Sequence, residues 1–368
     1  MRKVFAENEC VMLKFERISI IRKFLMTANS QQPTANSQQP TANSQQPTAN
    51  SQQPTIKFID LFCGIGGFHQ AIQNATQDNY IAECVFSSDI DLSAQKTYFT
   101  NYDILPAGDI TQVFEQNIPS HDFLFAGFPC QAFSVAGHRK GFEDTRGTLF
   151  FDIARIAKYH KPQVMLLENV KGLIGHDKGR TFKTIIDVLT VELGYHVQHK
   201  VLNTAEYANI PQNRERIYIV ATKRNIGDVF PQKIQLTRTI TDILNHDKQD
   251  EKYYYNKHRY YPQLQAEITK FDTVYQWRRH YVRENKNKLC PTLTANMGTG
   301  GHNVPLIKDS FGIRKLTPKE CLSFQGFDES FQFPDLPESQ KFKQVGNSIS
   351  VPVATAIIKN ILRELYNG

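Results

Sequence analysis

Between residues 56 and 224 the sequence alternates short apolar runs with longer segments whose apolar residues recur at helical spacing. The runs at 56–62 and 162–170 stop at glycine or at charged residues, as buried strands do. The segments at 92–102 and 147–160 have the spacing of amphipathic helices. Strands that alternate with helices form a mainly parallel sheet that helices cover on both faces. The alternation therefore predicts an α/β domain.

The rest of the chain departs from this alternation. The first domain is predicted to span residues 55–224, and residues 225–311 are predicted to form a smaller, less regular domain. Residues 252–288 hold nine Lys and Arg against three acids, together with seven tyrosines and Trp277. Cations interleaved with stacking rings suit a nucleic acid, although a solvated basic face is an open alternative. Residues 312–368 are predicted to return to the first domain through a closing helix.

Two N-terminal segments precede these domains. Residues 1–26 form a leader of unknown function, and residues 27–54 are four copies of Thr-Ala-Asn-Ser-Gln-Gln-Pro. The repeats contain no large apolar residue, so burial cannot offset their ordering entropy and they are predicted to be disordered. Arg22 and Lys23 interrupt the only apolar run of the leader, so neither a signal peptide nor a membrane span is predicted. The expected location is cytoplasmic, and the six scattered cysteines lack the spacing of a zinc site.

The repeat has a simple description at the level of codons. Written ACA GCC AAC AGC CAA CAG CCA, one copy of the heptapeptide is the heptanucleotide ACAGCCA three times. Because seven is not a multiple of three, gain or loss of one unit during replication shifts the reading frame. We hypothesise that such a tract switches expression off and on, with Met26 as a further start codon. A flexible tether encoded by in-frame repeats is the open alternative.

A glycine-rich turn follows the first predicted strand, in DLFCGIGGFHQA (60–71). Gly64 and Gly66 allow a ligand to approach the backbone, and the helix that follows offers free N–H groups. Asp89 ends the next strand, where a carboxylate is placed to bind ribose hydroxyls. Together these residues predict a nucleoside cofactor, and a plain tight turn is the alternative.

Two reactive side chains also lie at predicted strand ends. Cys130 follows a proline in GFPCQAFS (127–134), and an exposed cysteine in a fixed turn is a candidate nucleophile. Glu168 ends the neighbouring strand, where partial burial would raise its pKa and suit a general acid. The alternatives are an inert core cysteine and a salt bridge from Glu168 to Arg214 or Arg216.

Six segments in this order resemble the DNA (cytosine-5)-methyltransferase family of bacterial modification enzymes, and the resemblance covers roughly residues 56–365. It implies a Rossmann-like S-adenosylmethionine-dependent methyltransferase fold, with residues 225–311 as an irregular target-recognition domain. The segments are DLFCGIGGF, GFPCQAFS, ENV, PQNRERIYIV, RKLTPKECLSFQGF and QVGNSISVPV.

The resemblance implies a role for each matching residue. Cys130 matches the nucleophile that attacks C6 of a flipped-out cytosine, Glu168 the acid that protonates N3, and Arg216 and Arg214 the arginines that grip the base O2 and nearby phosphates. The implied cofactor is S-adenosyl-L-methionine, with Asp109 expected at the adenine amino group and Ile90 where some relatives place a tryptophan. Weaker stacking without loss of activity is expected at Ile90. The implied cofactor residues are Phe62, Gly64, Gly66, Asp89, Ile90, Asp109, Ile110 and Asn347.

The implied partner is double-stranded DNA. Residues 135–150 resemble a loop that closes over flipped DNA, and arginines in YQWRRHYVREN (275–285) are candidates for reading guanine, which suggests a site containing G·C pairs. Thr292 is expected to contact a phosphate next to the flipped base. The candidate DNA-binding residues are Gln131, Ser134, Arg139, Arg278, Arg279, Arg283 and Thr292.

A monomer is expected, acting either beside a cognate restriction endonuclease, without forming a stable complex with it, or alone as an epigenetic switch. Three other functions remain open at this stage. They are the same chemistry on RNA, a catalytically inactive DNA-binding protein, and a thiol hydrolase.

Overall fold

The computed structural model describes residues 53–129, 149–278, 281–299 and 303–366. The leader and nearly all of the repeat lie outside these residues, so the predictions made for them stay predictions. The same holds for five candidate site residues, which are Cys130, Gln131, Ser134, Arg139 and Arg279.

The described residues contain twelve strands and nine α-helices. The strands are β1 (Thr55–Leu61), β2 (Ile81–Ser88), β3 (Phe123–Gly127), β4 (Val164–Val170), β5 (His196–Asn203), β6 (Gln212–Asn213), β7 (Glu215–Thr222), β8 (Tyr275–Arg278), β9 (Tyr281–Glu284), β10 (Cys290–Pro291), β11 (Leu306–Asp309) and β12 (Gly312–Lys315). The helices are α1 (Gly67–Thr76), α2 (Leu92–Tyr102), α3 (Leu149–His160), α4 (Arg180–Asp187), α5 (Thr204–Tyr207), α6 (Tyr261–Glu267), α7 (Pro318–Gln325), α8 (Glu338–Asn347) and α9 (Val351–Tyr366).

The main sheet has six strands in the order β2-β1-β3-β4-β7-β5. β1 pairs in parallel with β2 and β3, and β3 pairs in parallel with β4. β7 runs antiparallel to both of its neighbours. The predicted mainly parallel sheet is therefore confirmed, and the carboxyl ends of β1 to β4 meet at one edge. Ligands bind at this edge in open α/β sheets.

Helices cover both faces of the sheet, as predicted. On one face α9 packs against α1, through buried residues such as Ile72 and Ile357. On the other face α3 contributes Phe150 and Ile153 to a second apolar cluster. Burying a side chain of this kind stabilises the fold by roughly 1.5–3 kcal/mol. The core thus holds the sheet edge rigidly.

A second, four-stranded antiparallel sheet has the order β12-β11-β8-β9. It covers a small cluster that includes Leu264, Tyr275 and Leu306. β12 extends this sheet past residue 311, and the division of the chain at residues 224 and 311 stays a prediction. The guanidinium of Arg314 on β12 is fully buried and lies 2.7 Å from both Asp309 and Glu320, which ties the small sheet to α7.

Among the described residues, one segment, Glu338–Tyr366, is long and apolar enough to pass a test of length and composition for a membrane span. It consists of α8 and α9, and 67% of its most apolar window is buried inside the fold. Core helices of soluble proteins pass the same test. The packing of α9 against α1 accounts for the apolar residues.

Candidate active site

A cavity of about 370 Å³ lies at the carboxyl edge of the parallel strands. Its size falls in the range of about 300–1,000 Å³ that small-molecule sites occupy. The ends of β1 to β4 line it, together with the end of α8 and two arginines next to and on β7. The predicted residues that line it are Phe62, Gly64, Asp89, Ile90, Asp109, Ile110, Glu168, Arg214, Arg216 and Asn347.

Asp89 and Gly64 are joined at one side of this cavity. The Asp89 carboxylate accepts a hydrogen bond of 2.8 Å from the Gly64 N–H and another of 2.8 Å from the Asp91 N–H. Burial raises the pKa of Asp89, and these two N–H groups offset part of that rise. Gly64 has φ +53°, and a side chain there would point into open space. The turn therefore leaves room for a ligand beside a fixed carboxylate.

Asp109 and its neighbours line the same part of the cavity. The Asp109 carboxylate caps the short helical turn Ile110–Gln112 by accepting hydrogen bonds of 3.0 Å and 2.8 Å from the Thr111 N–H and hydroxyl. Ile110 is buried, whereas Ile90 is 74% exposed at the rim. An exposed apolar side chain beside a cavity offers a surface to a planar ligand.

Gly66 does not line the cavity. Its φ is +85°, and a side chain there would collide with the ring of Tyr102, whose hydroxyl donates a 2.9 Å hydrogen bond to the Gly66 carbonyl. Packing of the turn against α2 therefore explains this glycine. A contact between Gly66 and a cofactor stays a prediction.

The end of α8 closes the cavity with residues that the sequence reasoning missed, except for Asn347. Gln344 lines the cavity, and its side-chain oxygen accepts a 2.8 Å hydrogen bond from the Thr97 hydroxyl. Its amide nitrogen is buried and has no hydrogen-bond partner among the described residues. Lys343 lies 2.8 Å from Asp91 and fixes α8 against α2. Proline before a polar run, at 337, was the available signal for this helix.

Glu168 lies on β4 on the opposite side of the cavity and is only 8% exposed. The strand continues to Val170, two residues past the end predicted at Glu168. Its Oε1 lies 3.0 Å from Nε of Arg216, but no described group donates a well-aligned hydrogen bond to that oxygen. Burial raises the pKa of Glu168, and the positive charges of Arg216 and Arg214 offset part of the rise. Glu168 is therefore both buried and ion-paired with Arg216, and its role as a general acid stays a prediction.

Asn169, next to Glu168, fixes the segment that leads to residue 130. Its side chain donates a 2.7 Å hydrogen bond to the Phe128 carbonyl and accepts one of 2.8 Å from the Val170 N–H. Pro129 lines the cavity. The candidate nucleophile Cys130 follows it directly in the sequence but lies outside the described residues. Sequence reasoning used Asn169 only as part of a motif and missed this contact.

Arg214 and Arg216 differ although only one residue separates them. Arg214 is 2% exposed and donates to the carbonyls of Leu293, at 2.8 Å, of Gly346, at 3.5 Å, and of Ser348. Burial and the nearby Arg216 lower the pKa of Arg214 to about 9. Arg214 therefore anchors β7 to the chain segments around residues 293 and 346–348.

Arg214→Met is expected to lower the free energy of unfolding by about 3 kcal/mol, because three buried carbonyls lose a donor at about 1 kcal/mol each. Denaturant unfolding followed by circular dichroism measures the change. Arg180→Met is the control, because Arg180 is exposed and its ion pair with Asp177 lies on the surface. Equal losses for the two variants would contradict the anchoring role.

The remaining candidate residues lie apart from this cavity. Thr292 donates a 2.6 Å hydrogen bond to the Asn213 carbonyl, and Arg278 and Arg283 lie on the β8–β9 hairpin. Among the described residues, no group of three or more His, Cys, Asp or Glu side chains is arranged to hold a metal ion.

Known proteins share both the sequence and the fold. A family profile described as C-5 cytosine-specific DNA methylase matches residues 56–363. Type II methyltransferase M.Bsp6I of Bacillus sp. (strain RFL6) is 48% identical over 319 residues, which cover 84% of this chain and 99% of that protein. Type II methyltransferase M.HpaII of Haemophilus parainfluenzae is 41% identical over 329 residues, covering 84% and 90%. The crystal structure of S. pombe Dnmt2 methyltransferase matches with a TM-score of 0.67 at 21% identity, over 84% of this chain and 99% of that one, which confirms the predicted fold.

Proposed function

Because this chain belongs to the family of C-5 cytosine-specific DNA methylases and is a DNA (cytosine-5-)-methyltransferase, we propose that it methylates a flipped-out cytosine within a short specific sequence of double-stranded DNA. One observation carries this proposal. The candidate cofactor residues Asp89 and Asp109 and the candidate catalytic residues Glu168 and Arg216 line one cavity. A methyl donor and a target base can therefore meet there.

The cavity suits S-adenosyl-L-methionine, which supplies the methyl group when bound. The Asp89 carboxylate would accept hydrogen bonds from ribose hydroxyls, and Asp109 would accept one from the adenine amino group. Phe62 and Ile90 would give the adenine apolar contacts. The buried amide nitrogen of Gln344 lacks a partner among the described residues, which suits an acceptor atom of the cofactor.

Asp89→Asn is expected to weaken S-adenosylmethionine binding about 10- to 100-fold, because hydrogen bonds to a charged group contribute roughly 1.5–3 kcal/mol. Isothermal titration calorimetry measures the affinity. Asp78→Asn removes an exposed carboxylate from the turn after α1 and serves as the control. The role of Asp89 is refuted by equal affinities of its variant and the wild type.

The catalytic residues act on a base that has left the duplex, because a stacked base is unreachable. The Cys130 thiolate forms a bond to C6 while Glu168 gives its proton to N3, so that electron density moves to C5. C5 then bonds to the methyl group as the bond from that methyl to the sulfonium sulfur breaks, which leaves the sulfur as a neutral thioether. A water molecule takes the C5 proton, the C5–C6 double bond forms again, the C6–S bond breaks to release the Cys130 thiolate, and N3 returns its proton to Glu168. Arg216, 3.0 Å from Glu168, stabilises the carboxylate while it is ionised.

Bisulfite sequencing of DNA from cells that express the chain tests the proposed function. Cytosines that resist conversion within one short motif, and that convert when Cys130→Ala is expressed, support it. Complete conversion with soluble, cofactor-loaded protein would refute DNA methylation and favour the same reaction on RNA, which a methylation assay with RNA substrates then measures.

The relatives named above are Type II methyltransferases. We extend that setting to this chain and propose that it acts in the cytoplasm as a monomer, protecting DNA from a cognate endonuclease with which it forms no stable complex. Light scattering of the purified chain, alone and with that endonuclease, measures both states of association.

The N-terminal repeat supports a further proposal, that expression of this methyltransferase varies through a slipping heptanucleotide tract. The support is that three copies of one seven-nucleotide unit can encode the whole heptapeptide. Uninterrupted ACAGCCA units in the gene, with unit numbers that differ between clones and correlate with methylation, are expected. Synonymous codons that break the unit would refute the tract and leave the flexible tether.

A further inference from the structure

The β8–β9 hairpin extends beyond the sheet to which it belongs. β8 pairs with β9 over all four of its residues, from Tyr275 with Glu284 to Arg278 with Tyr281. β8 pairs with β11 only at Tyr275, opposite Leu306. The hairpin past Tyr275 is thus a two-stranded ribbon, a shape that the major groove of DNA admits.

One face of this ribbon is anchored to the protein. Trp277 packs edge-on against the rings of Tyr255, His258 and Tyr260, with centroids 5.4–5.9 Å apart. Tyr275, on the same face, is buried in the small cluster. Since side chains alternate along a strand, Gln276 and Arg278 point away from this anchor.

The other face presents Gln276 and Arg283, which lie directly opposite each other in the ladder. Neither side chain has a hydrogen bond or ion pair with another described residue. Lys270 and Lys288, by contrast, are each paired with an acid, at 2.8 Å and 2.5 Å from Glu284 and Asp272. Gln276 and Arg283 are therefore free to pair with a ligand through two hydrogen bonds each.

A groove of about 730 Å³ lies along this face and reaches Asn213 of the first domain. It is lined by Gln276 and Arg283, by the turn at 285–287, and by Asn213 and Thr292. Asn213 lies on β6, and this strand pairs with β10. The next residue in the sequence is Arg214, which is anchored to three carbonyls. The free ribbon face and the catalytic domain thus border one continuous groove.

We propose that Arg283 and Gln276 determine the DNA sequence that this enzyme methylates, with Arg283 reading a guanine through O6 and N7. The Cβ atoms of directly opposite residues lie about 5 Å apart, and neighbouring base pairs are stacked about 3.4 Å apart. Gln276 therefore reads the same base pair as Arg283 or the adjoining one. The inference rests on the proposed methylation of duplex DNA. It selects Arg283 among the three arginines of the sequence prediction, because Arg278 does not line the groove and Arg279 lies outside the described residues. It also adds Gln276, which that prediction lacked.

The test compares wild type, Arg283→Ala and Gln276→Ala on a plasmid library in which each position of the methylated motif is varied, with bisulfite sequencing as the readout. Arg283→Ala is expected to reduce the preference for guanine at one position by about 5- to 150-fold, while cytosines in the cognate motif stay methylated. Gln276→Ala is expected to relax the same or the adjoining position. Unchanged thermal unfolding of both variants confirms that they fold.

Lys286→Ala is the matched control, because Lys286 lines the same groove. The substitution removes a positive charge whose ammonium group, unlike a guanidinium, cannot form two parallel hydrogen bonds to a base. It is expected to weaken methylation of all sequences equally. The inference is overturned if Arg283→Ala behaves like Lys286→Ala, or if its base preferences equal those of wild type. A wild type that methylates no cytosine in the library overturns the proposed function itself, and this inference with it.

Discussion

Glu168→Gln is expected to lower kcat for DNA methylation by about 10²- to 10⁴-fold, the range that a positioned general acid contributes. Glutamine keeps the size of the side chain and its place near the end of β4 but has no acidic proton to give to N3. Affinity for S-adenosylmethionine should change little, because Asp89 and Asp109 lie on the other side of the cavity. Single-turnover methylation and calorimetry measure the two quantities separately.

The dependence of kcat on pH gives the same prediction a second readout. Burial raises the pKa of Glu168, and Arg216 and Arg214 offset part of this rise. Because N3 receives its proton from the acid form, wild-type kcat should fall as pH rises through that raised pKa. Glu168→Gln should lack this fall. The raised pKa also means that the contribution of this carboxyl to stability is greatest at low pH and is lost as pH rises through the folded-state value.

Glu192→Gln is a suitable control, because Glu192 is exposed and remote from the cavity residues. It should leave kcat and its pH dependence unchanged. A Glu168→Gln variant with near wild-type kcat would exclude Glu168 as the acid and leave it only the ion pair with Arg216.

Sequence alone predicted the residues whose position follows from strand ends. Asp89 and Glu168 each close an apolar run, and parallel strands bring such ends to one edge, so a one-dimensional pattern was sufficient to place them together. The antiparallel direction of β7 was not predictable in this way, because an apolar run looks the same in either direction. The fold class was therefore accessible, and the direction of one central strand was not.

Side chains whose role depends on partners far along the chain were harder to interpret. Arg214 and Arg216 share one motif, yet Arg214 donates its hydrogen bonds to the carbonyls of residues 293, 346 and 348. No local sequence pattern reveals these partners. Gln344 was missed for the same reason, since its partner Thr97 is 247 residues away. Gln276 became a candidate for reading DNA only because the register of the β8–β9 pair places it opposite Arg283. Pairing in the folded chain, over long sequence distances for Arg214 and Gln344 and across one hairpin for Gln276, was needed to interpret these residues.

DNA with 5-fluorocytosine at the methylated position is expected to stay covalently attached to the wild-type chain but not to Cys130→Ala. The thiolate of Cys130 adds to C6 and C5 receives the methyl group, as with cytosine. Fluorine at C5 cannot then leave as a proton does, so the C5–C6 double bond is not restored and the C6–S bond persists. A denaturing gel shows the complex, and mass spectrometry of its peptides locates the attached residue.

Cys84→Ala is the matched control for this experiment, because Cys84 is a free, partly buried cysteine whose thiol lies 3.6 Å from the Tyr98 hydroxyl, away from the residues that line the cavity. It should form the covalent complex to the wild-type extent. An adduct on Cys130→Ala would assign the nucleophile to another residue. The absence of any adduct with wild type, at a site that it methylates when the base is cytosine, would exclude covalent addition at C6 and require another way to activate C5.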